Sequence, residues 1–525
     1  MQDSLVEFGA RRVIITITAI LCALLEIVDT TIVNVALNEM KGNLGATLSE
    51  VGWVITAYAI GNVIIVPMTS WLSQQFGRRN YFAASIIIFT VFSFLCGNAT
   101  NIWELVFFRL MQGIGGGALL VTSQTIITES YPVEKRSMAQ AIYGLGVIIG
   151  PTLGPPLGGY IVDNYSWPFI FYINIPIGIV ATLLTLQFVR SPKYAEKKSA
   201  NEVDWLGIFL LAITVGSLQY ILEKGHEDDW FESNWIIGLS LASIFGLIFF
   251  IWRELTCEHP IVELRVLKNG NLRIGTIMSF ILGFGLYGST FIIPLYTQSV
   301  LGWTALQSGA LMIPAALTTA FMMPLIAKLL NKGIKQQILV ALGMFIFFVY
   351  SFWGYKILTP DTSKEEFFWM LIMRGMGLGL LFIPITSLAL STLKGQQIGQ
   401  GSAFTGMMRQ LGGSFGVAAI TTFISNRNMF YRSDLVSKLD SNSLMVQQRL
   451  AGLKANFIAK GMTPDQALKA AYKILDFSVM KQAAVLSYMD VFLYLGIMFL
   501  ICIPFILLIK ERKKGGRTIE ASEMH

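Results

Sequence analysis

The chain has 525 residues, of which 54% are hydrophobic and only 14% charged, with a formal net charge of +7. A soluble protein of this size and composition would aggregate, so the class is polytopic membrane protein. The four cysteines are scattered, none in a C-x-x-C pair, which suggests neither a disulfide framework nor a zinc site.

Taken in chain order, apolar runs of about 20 residues recur, each long enough to cross a hydrocarbon layer ~30 Å thick as a helix. Fourteen are predicted, centred near residues 25, 62, 89, 113, 150, 180, 213, 244, 286, 316, 347, 380, 413 and 497. The first follows Arg11 and Arg12 as the apolar region of a signal peptide would. It runs on for about 25 residues with no small-residue cleavage site, and is read as retained.

An even number of spans puts both termini on one side. Segments on that side hold 23 of the 39 lysines and arginines, whereas the short opposite loops hold four, Lys41, Lys224, Lys356 and Lys364. The asymmetry predicts cytoplasmic termini, and the placement of the charge argues for topology rather than nucleic acid. Nine more basic residues lie in a long outside loop over 426–483, which the rule exempts. Within it, "TPDQALKAAYKILDF" predicts a helix with Thr463 as N-cap, Pro464 first and Gln466 closing a capping box. Leu468, Ala471, Tyr472 and Leu475 form its expected apolar face, either a lid on the membrane domain or a docking surface. The remaining basic residues, Arg109, Arg374 and Arg409, fall inside spans, with Arg374 towards the start of its own.

A weak internal repeat divides the chain. Arg109 precedes glycines at 113, 115 and 117, and Arg374 precedes glycines at 375, 377 and 379, an offset of 265. The organisation expected is a six-helix bundle over 1–190, a linker with two extra spans over 191–272, and a second six-helix bundle over 273–525. The stretch "RSPKYAEKKSANEVD" at 190–204 reads as the linker.

The first span contains "EIVDTTIVNVAL" at 26–37, and Glu26 and Asp29 are the only acids placed deep in any span. Their i, i+3 spacing sets them on one helical face, extended by Thr30 and Asn34. An ionised acid at mid-membrane costs ~2.5–3.5 kcal/mol on insertion scales, so such a stripe must face a cavity rather than lipid. Burial and a second acid raise a carboxyl's affinity for protons and a nearby arginine lowers it, so the pair is suited to taking a proton on one side and losing it on the other. Its structural alternative is hydrogen bonding between helices.

Several motifs carry a family resemblance. "DTTIVNVAL" at 29, "RLMQGIGGG" at 109, "GPTLGPPLGGYIVD" at 150, "WPFIFYINIPIG" at 167 and "WRELTCEHPIVELRVLKNGNLRIG" at 252 resemble the major facilitator superfamily, in its fourteen-span drug:proton antiporter branch and closest to the Emr-type multidrug permeases. The resemblance implies an all-α transporter rather than an enzyme, built as two six-helix pseudo-repeats plus two linker helices in a bacterial inner membrane. It implies proton-driven multidrug efflux by alternating access, hence antibiotic resistance, with a periplasmic adaptor and an outer-membrane channel as partners. No cofactor beyond the proton gradient and no metal is expected. The family role carried by Arg109 is proton coupling; Gln112 follows in the same motif on the substrate pathway, and Arg409 offers a partner to an acid or an anionic substrate. Gly150, Pro151, Gly154, Pro155, Gly158 and Gly159 correspond to the fifth-helix motif that shapes and seals the antiporters. "SWLSQQFGRRN" keeps Gly77, Arg78 and Arg79 but has Gln74 where the family places an acid, so that acid's charge lock does not carry over.

Two other functions remain open from sequence, transport of one dedicated metabolite and an uncoupled channel or receptor. An ATP-driven pump is disfavoured because no G-x-x-x-x-G-K-[ST] loop occurs.

Overall fold

The computed structural model describes residues 5–192, 203–439 and 443–508. Residues 193–202 of the linker and the basic tail from 509 lie outside the described residues. The described chain is helical throughout. α1 (Gly9–Asn43), α2 (Leu48–Gln75), α3 (Arg78–Gly97), α4 (Ile102–Ser130), α5 (Arg136–Asn164), the short α6 (Phe169–Tyr172) and α7 (Asn174–Phe188) form the first group. α8 (Trp205–Lys224) and α9 (Asn234–Thr256) follow as a hairpin. The last group is α10 (Gly270–Ser299), α11 (Ala305–Leu311), α12 (Ile313–Asn331), α13 (Gln336–Ile357), α14 (Lys364–Leu390), α15 (Gln396–Ser437), α16 (Leu444–Ala459) and α17 (Pro464–Leu508).

Among the described residues, thirteen helical stretches are long and apolar enough to cross a membrane. The fourteenth predicted span, near 413, lies on α15, whose sequence "GQGSAFTGMMRQLGGSFG" is rich in glycine, serine and polar residues. That composition suits close contact with other helices: α15 buries Gly401, Ser402, Gly412, Gly413 and Gly416, and a Cβ at Gly412 would strike the Phe280 backbone of α10. Lipid-facing surface is concentrated elsewhere. In α9, Leu241, Ile244, Phe245, Ile248, Phe249 and Trp252 are all exposed.

Packing repeats between the first and last groups. α4 sits against α2 and α3, and α14 against α12 and α13; α1 pairs with α5, and α10 with α15. The arginine-glycine segments explain the first correspondence. A Cβ at Gly113 or Gly117 would meet the α2 backbone at Tyr58 or Asn62, and one at Gly375 would meet the α12 backbone at Ala315. Close approach of backbones is what holds helices together where lipid removes any hydrophobic gain from their contact.

The long outside segment expected over 426–483 carries more helix than the one predicted within it. α15 runs on to Ser437, α16 packs on α17, and α17 begins at Pro464 and continues without a break into the last span. At 42 and 45 residues, α15 and α17 extend about 63 and 68 Å at 1.5 Å per residue, twice the hydrocarbon thickness. The predicted capping box is present: Thr463 N–H donates to Gln466 Oε1 at 3.3 Å and Gln466 N–H to Thr463 Oγ1 at 3.4 Å. The buried face differs from expectation. Ala467, Ala471, Val479 and Ala483 are covered while Tyr472 is 54% exposed, because small side chains let the neighbouring helix approach and the large ring cannot follow. Ion pairs Arg427–Asp490 at 3.2 Å and Arg432–Asp476 at 3.1 Å tie the two extensions together.

Candidate functional site

α1 forms because its sequence is an apolar run, and it carries Glu26 and Asp29 to 5% and 0% exposure. Asp29 is saturated with donors. Arg109 Nη1 lies 2.5 Å from Oδ2, while Gln112 Nε2 at 3.0 Å and Asn174 Nδ2 at 2.7 Å both donate to Oδ1. Arg109 also donates through Nε to Val54 O at 3.2 Å and through Nη1 to Gln112 Oε1 at 2.7 Å, and its guanidinium lies 4.1 Å from the centre of the Tyr58 ring. Ser93 Oγ accepts from Gln112 at 3.0 Å and Asn174 at 2.9 Å. One polar network thus joins α1, α2, α3, α4 and α7, and the cost of burying two charges is offset by direct pairing and full hydrogen bonding.

Glu26 is arranged differently. Oε1 accepts from Asn62 Nδ2 at 2.9 Å, but Oε2 has no partner among the described residues. Asp29 on its own helix and, from the last helix group, Arg409 on α15 both act on its charge. Arg409 is 3% exposed, its guanidinium carbon is 5.3 Å from the centre of the Phe382 ring of α14, and its Nη1 is unpartnered. Tyr143 of α5 packs 6.3 Å from Phe382, centre to centre, and donates to Leu120 O at 3.1 Å. Arg374 is deep as well, buried to 3% and donating to Ser289 Oγ at 2.9 Å and Thr290 Oγ1 at 2.5 Å.

The structure gathers Asp29, Arg109 and Gln112 into one cluster, with Glu26 one turn away on α1 bonded to Asn62, and holds Arg409 on α15 over the Phe382 ring. Asn34 stays outside: it is exposed, two turns beyond Glu26, with no hydrogen bond to the cluster. Sequence reasoning missed Asn62, Ser93, Asn174 and Tyr58. The signal available was a single amide inside an apolar run, in "AIGNVIIV" for Asn62 and "FYINIPIG" for Asn174.

The remaining motif residues act at helix contacts. Gly150, Gly154 and Gly158 line one face of α5 four residues apart, where added Cβ atoms would collide with Ile27, Thr31 and Ile32 of α1. Gly159 faces Leu306 of α11, and Pro151 and Pro155 sit within the same helix. Gly77 holds φ = +77° at the start of α3, a conformation that favours glycine. Arg78 is buried in an ion pair with Glu129 at the end of α4, and the exposed Arg79 donates its backbone N–H to Ser191 Oγ at 3.1 Å. At the same end, Gln74 Oε1 accepts from Gln396 Nε2 at 2.6 Å, joining α2 to α15.

Residues 19–417 match the family model described as Major Facilitator Superfamily. The chain belongs to that superfamily. It is 34% identical over 470 residues to the multidrug export protein EmrB of Escherichia coli K12, covering 89% of this chain and 90% of that one. It is 33% identical over 509 residues to the fatty acid resistance protein FarB of Neisseria gonorrhoeae, covering 97% and 98%. The crystal structure of the human organic anion transporter MFSD10 superposes with a TM-score of 0.57 at 14% identity, over 94% of this chain and all of that one. The chain is therefore a multi-pass membrane transporter of the superfamily fold. The Gln74–Gln396 contact between the helix groups is a hydrogen bond between uncharged amides.

Proposed function

We propose that the protein is a proton-driven exporter of small hydrophobic or amphipathic compounds, working by alternating access in a bacterial inner membrane. The observation that carries this reading is the division of labour between the two buried acids. Asp29 has every oxygen engaged by Arg109, Gln112 and Asn174, whereas Glu26 keeps one oxygen without a partner among the described residues. A proton at Glu26 needs to displace no protein donor, and one at Asp29 must displace Arg109. Protonation is thereby tied to rearrangement at the interface where the two groups rock. Relatives named for multidrug export and fatty acid resistance support the direction and breadth of transport. Each charge crossing ~100 mV releases about 2.3 kcal/mol, enough to sustain a tenfold or greater gradient per proton.

The excess of lysine and arginine on the N-terminal side supports cytoplasmic termini, which directs the α15–α16–α17 projection into the periplasm, where it would meet an adaptor protein leading to an outer-membrane channel. The test is pH-gradient-driven efflux of a fluorescent lipophilic dye from vesicles, comparing the parent with Glu26→Gln and Asp29→Asn at matched expression. Retained dye binding with loss of gradient-driven transport in either variant supports the reading. Transport equal to the parent in both rejects it.

A further inference from the structure

Arg374 of α14 is a buried cation with no counterion among the described residues. It is 3% exposed, and its guanidinium makes two hydrogen bonds there, from Nε to Ser289 Oγ at 2.9 Å and from Nη2 to Thr290 Oγ1 at 2.5 Å. A guanidinium carries five N–H donors, so two bonds leave most of its capacity unused. Both acceptors are neutral. Ser289 and Thr290 donate their own protons to Leu286 O, at 3.3 and 2.6 Å, so they orient the arginine without balancing its charge. α10, α12, α13 and the part of α14 after Glu366 contain no aspartate or glutamate. Asp490 of α17 is engaged by Arg427 and Tyr431.

The corresponding arginine of the first group is treated differently, because α1 brings the Asp29 carboxylate into contact with Arg109. α10, which stands in the last group as α1 does in the first, brings only hydroxyls. A further donor stands at the same level. A Cβ at Gly285 of α10 would lie 3.4 Å from the Phe347 ring of α13, and one at Gly377 of α14 would lie 3.2 Å from the Phe347 backbone nitrogen, so the three helices meet in one layer. Gly343 meets Leu380 where Phe347 meets Gly377, which makes α13 and α14 antiparallel. One turn on from that layer, Ser289, Tyr350 and Arg374 therefore share the next. Tyr350 is 0% exposed and its hydroxyl has no partner among the described residues.

We propose that Arg374 and the Tyr350 hydroxyl hold one small monovalent anion such as chloride, so that the last helix group takes from solution the countercharge that the first group carries as Asp29. A buried charge is costly unless paired, and hydrogen bonds to neutral oxygens leave its charge in place. One guanidinium balances one negative charge, and a divalent anion would leave a surplus charge in a medium of low dielectric constant. The carboxylate of an amphiphile offers the same chemistry, but Phe347, Met370 and Leu371 surround the layer at 0% exposure, which suits a free ion and not an acyl chain. The site is independent of the export reading, since Arg374 bonds to none of the residues around Asp29.

The test is binding of radiolabelled chloride to the full chain in nanodiscs, at constant ionic strength set with gluconate, with thermal unfolding followed in the same solutions. The parent is expected to bind one chloride per chain, displaced by bromide or nitrate and not by sulfate or octanoate, and its unfolding midpoint should rise saturably with chloride. Tyr350→Phe keeps the ring packed on Phe347 and Phe492, at 5.1 and 5.9 Å between centres, and should weaken chloride about tenfold through the lost hydrogen bond. Arg374→Gln should abolish binding and leave an unfolding midpoint indifferent to the exchange of gluconate for chloride. If Arg374→Gln fails to fold, the parent titration and Tyr350→Phe decide. A parent that binds no chloride overturns the proposal, as does binding that neither substitution changes. Displacement by octanoate but not bromide overturns the free ion in favour of a carboxylate head group.

Discussion

Replacing Asp29 by asparagine keeps the side chain's size and removes its charge. In the parent the carboxylate accepts three hydrogen bonds, from Arg109, Gln112 and Asn174, at 0% exposure. Asparagine has one acceptor oxygen, so its amide group must face one of those donors, N–H against N–H. Breaking a buried ion pair by removing one partner costs ~3–5 kcal/mol. Arg109 keeps the Val54 carbonyl, Gln112 Oε1 and the Tyr58 ring in both proteins, so these contacts cancel in the difference. The expected net loss is therefore about 3–5 kcal/mol. Adding Arg109→Gln removes the stranded charge, so the double variant should recover most of the stability and still fail to transport. The assay is thermal unfolding in detergent for parent, both single variants and the double, with vesicle transport alongside. Additive losses in the double variant would refute the pairing argument, since residues in one network must couple.

Gly154→Leu forces a side chain into Thr31 of α1 and should cost about 1–3 kcal/mol of overpacking, seen as a lower unfolding midpoint than for the same change at the open position Gly238. Gln74→Ala removes the Gln396 hydrogen bond and should raise thiol-reagent labelling of a cysteine placed at Ser70; unchanged labelling would show that the amide pair does not seal that end. Burial opposes ionisation of Asp204 at the start of α8, but the Arg253 guanidinium at 3.0 Å and the Gly207 N–H at 3.0 Å outweigh it and hold the carboxyl below the usual carboxylate range. A depressed folded-state value means stability present above the unfolded-state value and lost as pH falls through the folded one, so Asp204→Asn should flatten the acid limb of a stability–pH profile. Deleting residues 426–483 with a short replacement turn should abolish dye export by intact cells while sparing transport in vesicles; normal export by cells would remove the adaptor from the reading.

The fold was legible because membrane helices announce themselves by length and apolarity, and the one span that falls short of that signal, on α15, is a helix whose small and polar residues serve contact with α10. The site was half legible. Acids inside an apolar run are conspicuous, as are arginines, so Glu26, Asp29, Arg109 and Arg409 stood out. Asn62 and Asn174 did not, since a lone amide in a span is compatible with many facings and only three-dimensional packing shows which one meets Asp29. Asn34 shares the helical face of Glu26 but is exposed and makes no hydrogen bond to the cluster, which the helical period alone does not reveal. The face of Tyr472 was misjudged because hydrophobicity favours large side chains, whereas the positions that α17 buries there are three alanines and a valine.

The continuity of α15 and α17 makes them a lever. Both belong to the last helix group and run about 30 Å past the hydrocarbon layer without a break. A tilt of that group by about 10° therefore sweeps the projecting tip through roughly 5 Å, farther than any residue near the pivot travels. If the last group tilts during the transport cycle proposed above, anything resting on the tip is displaced with it, and motion near the membrane centre is read outside it as mechanical displacement.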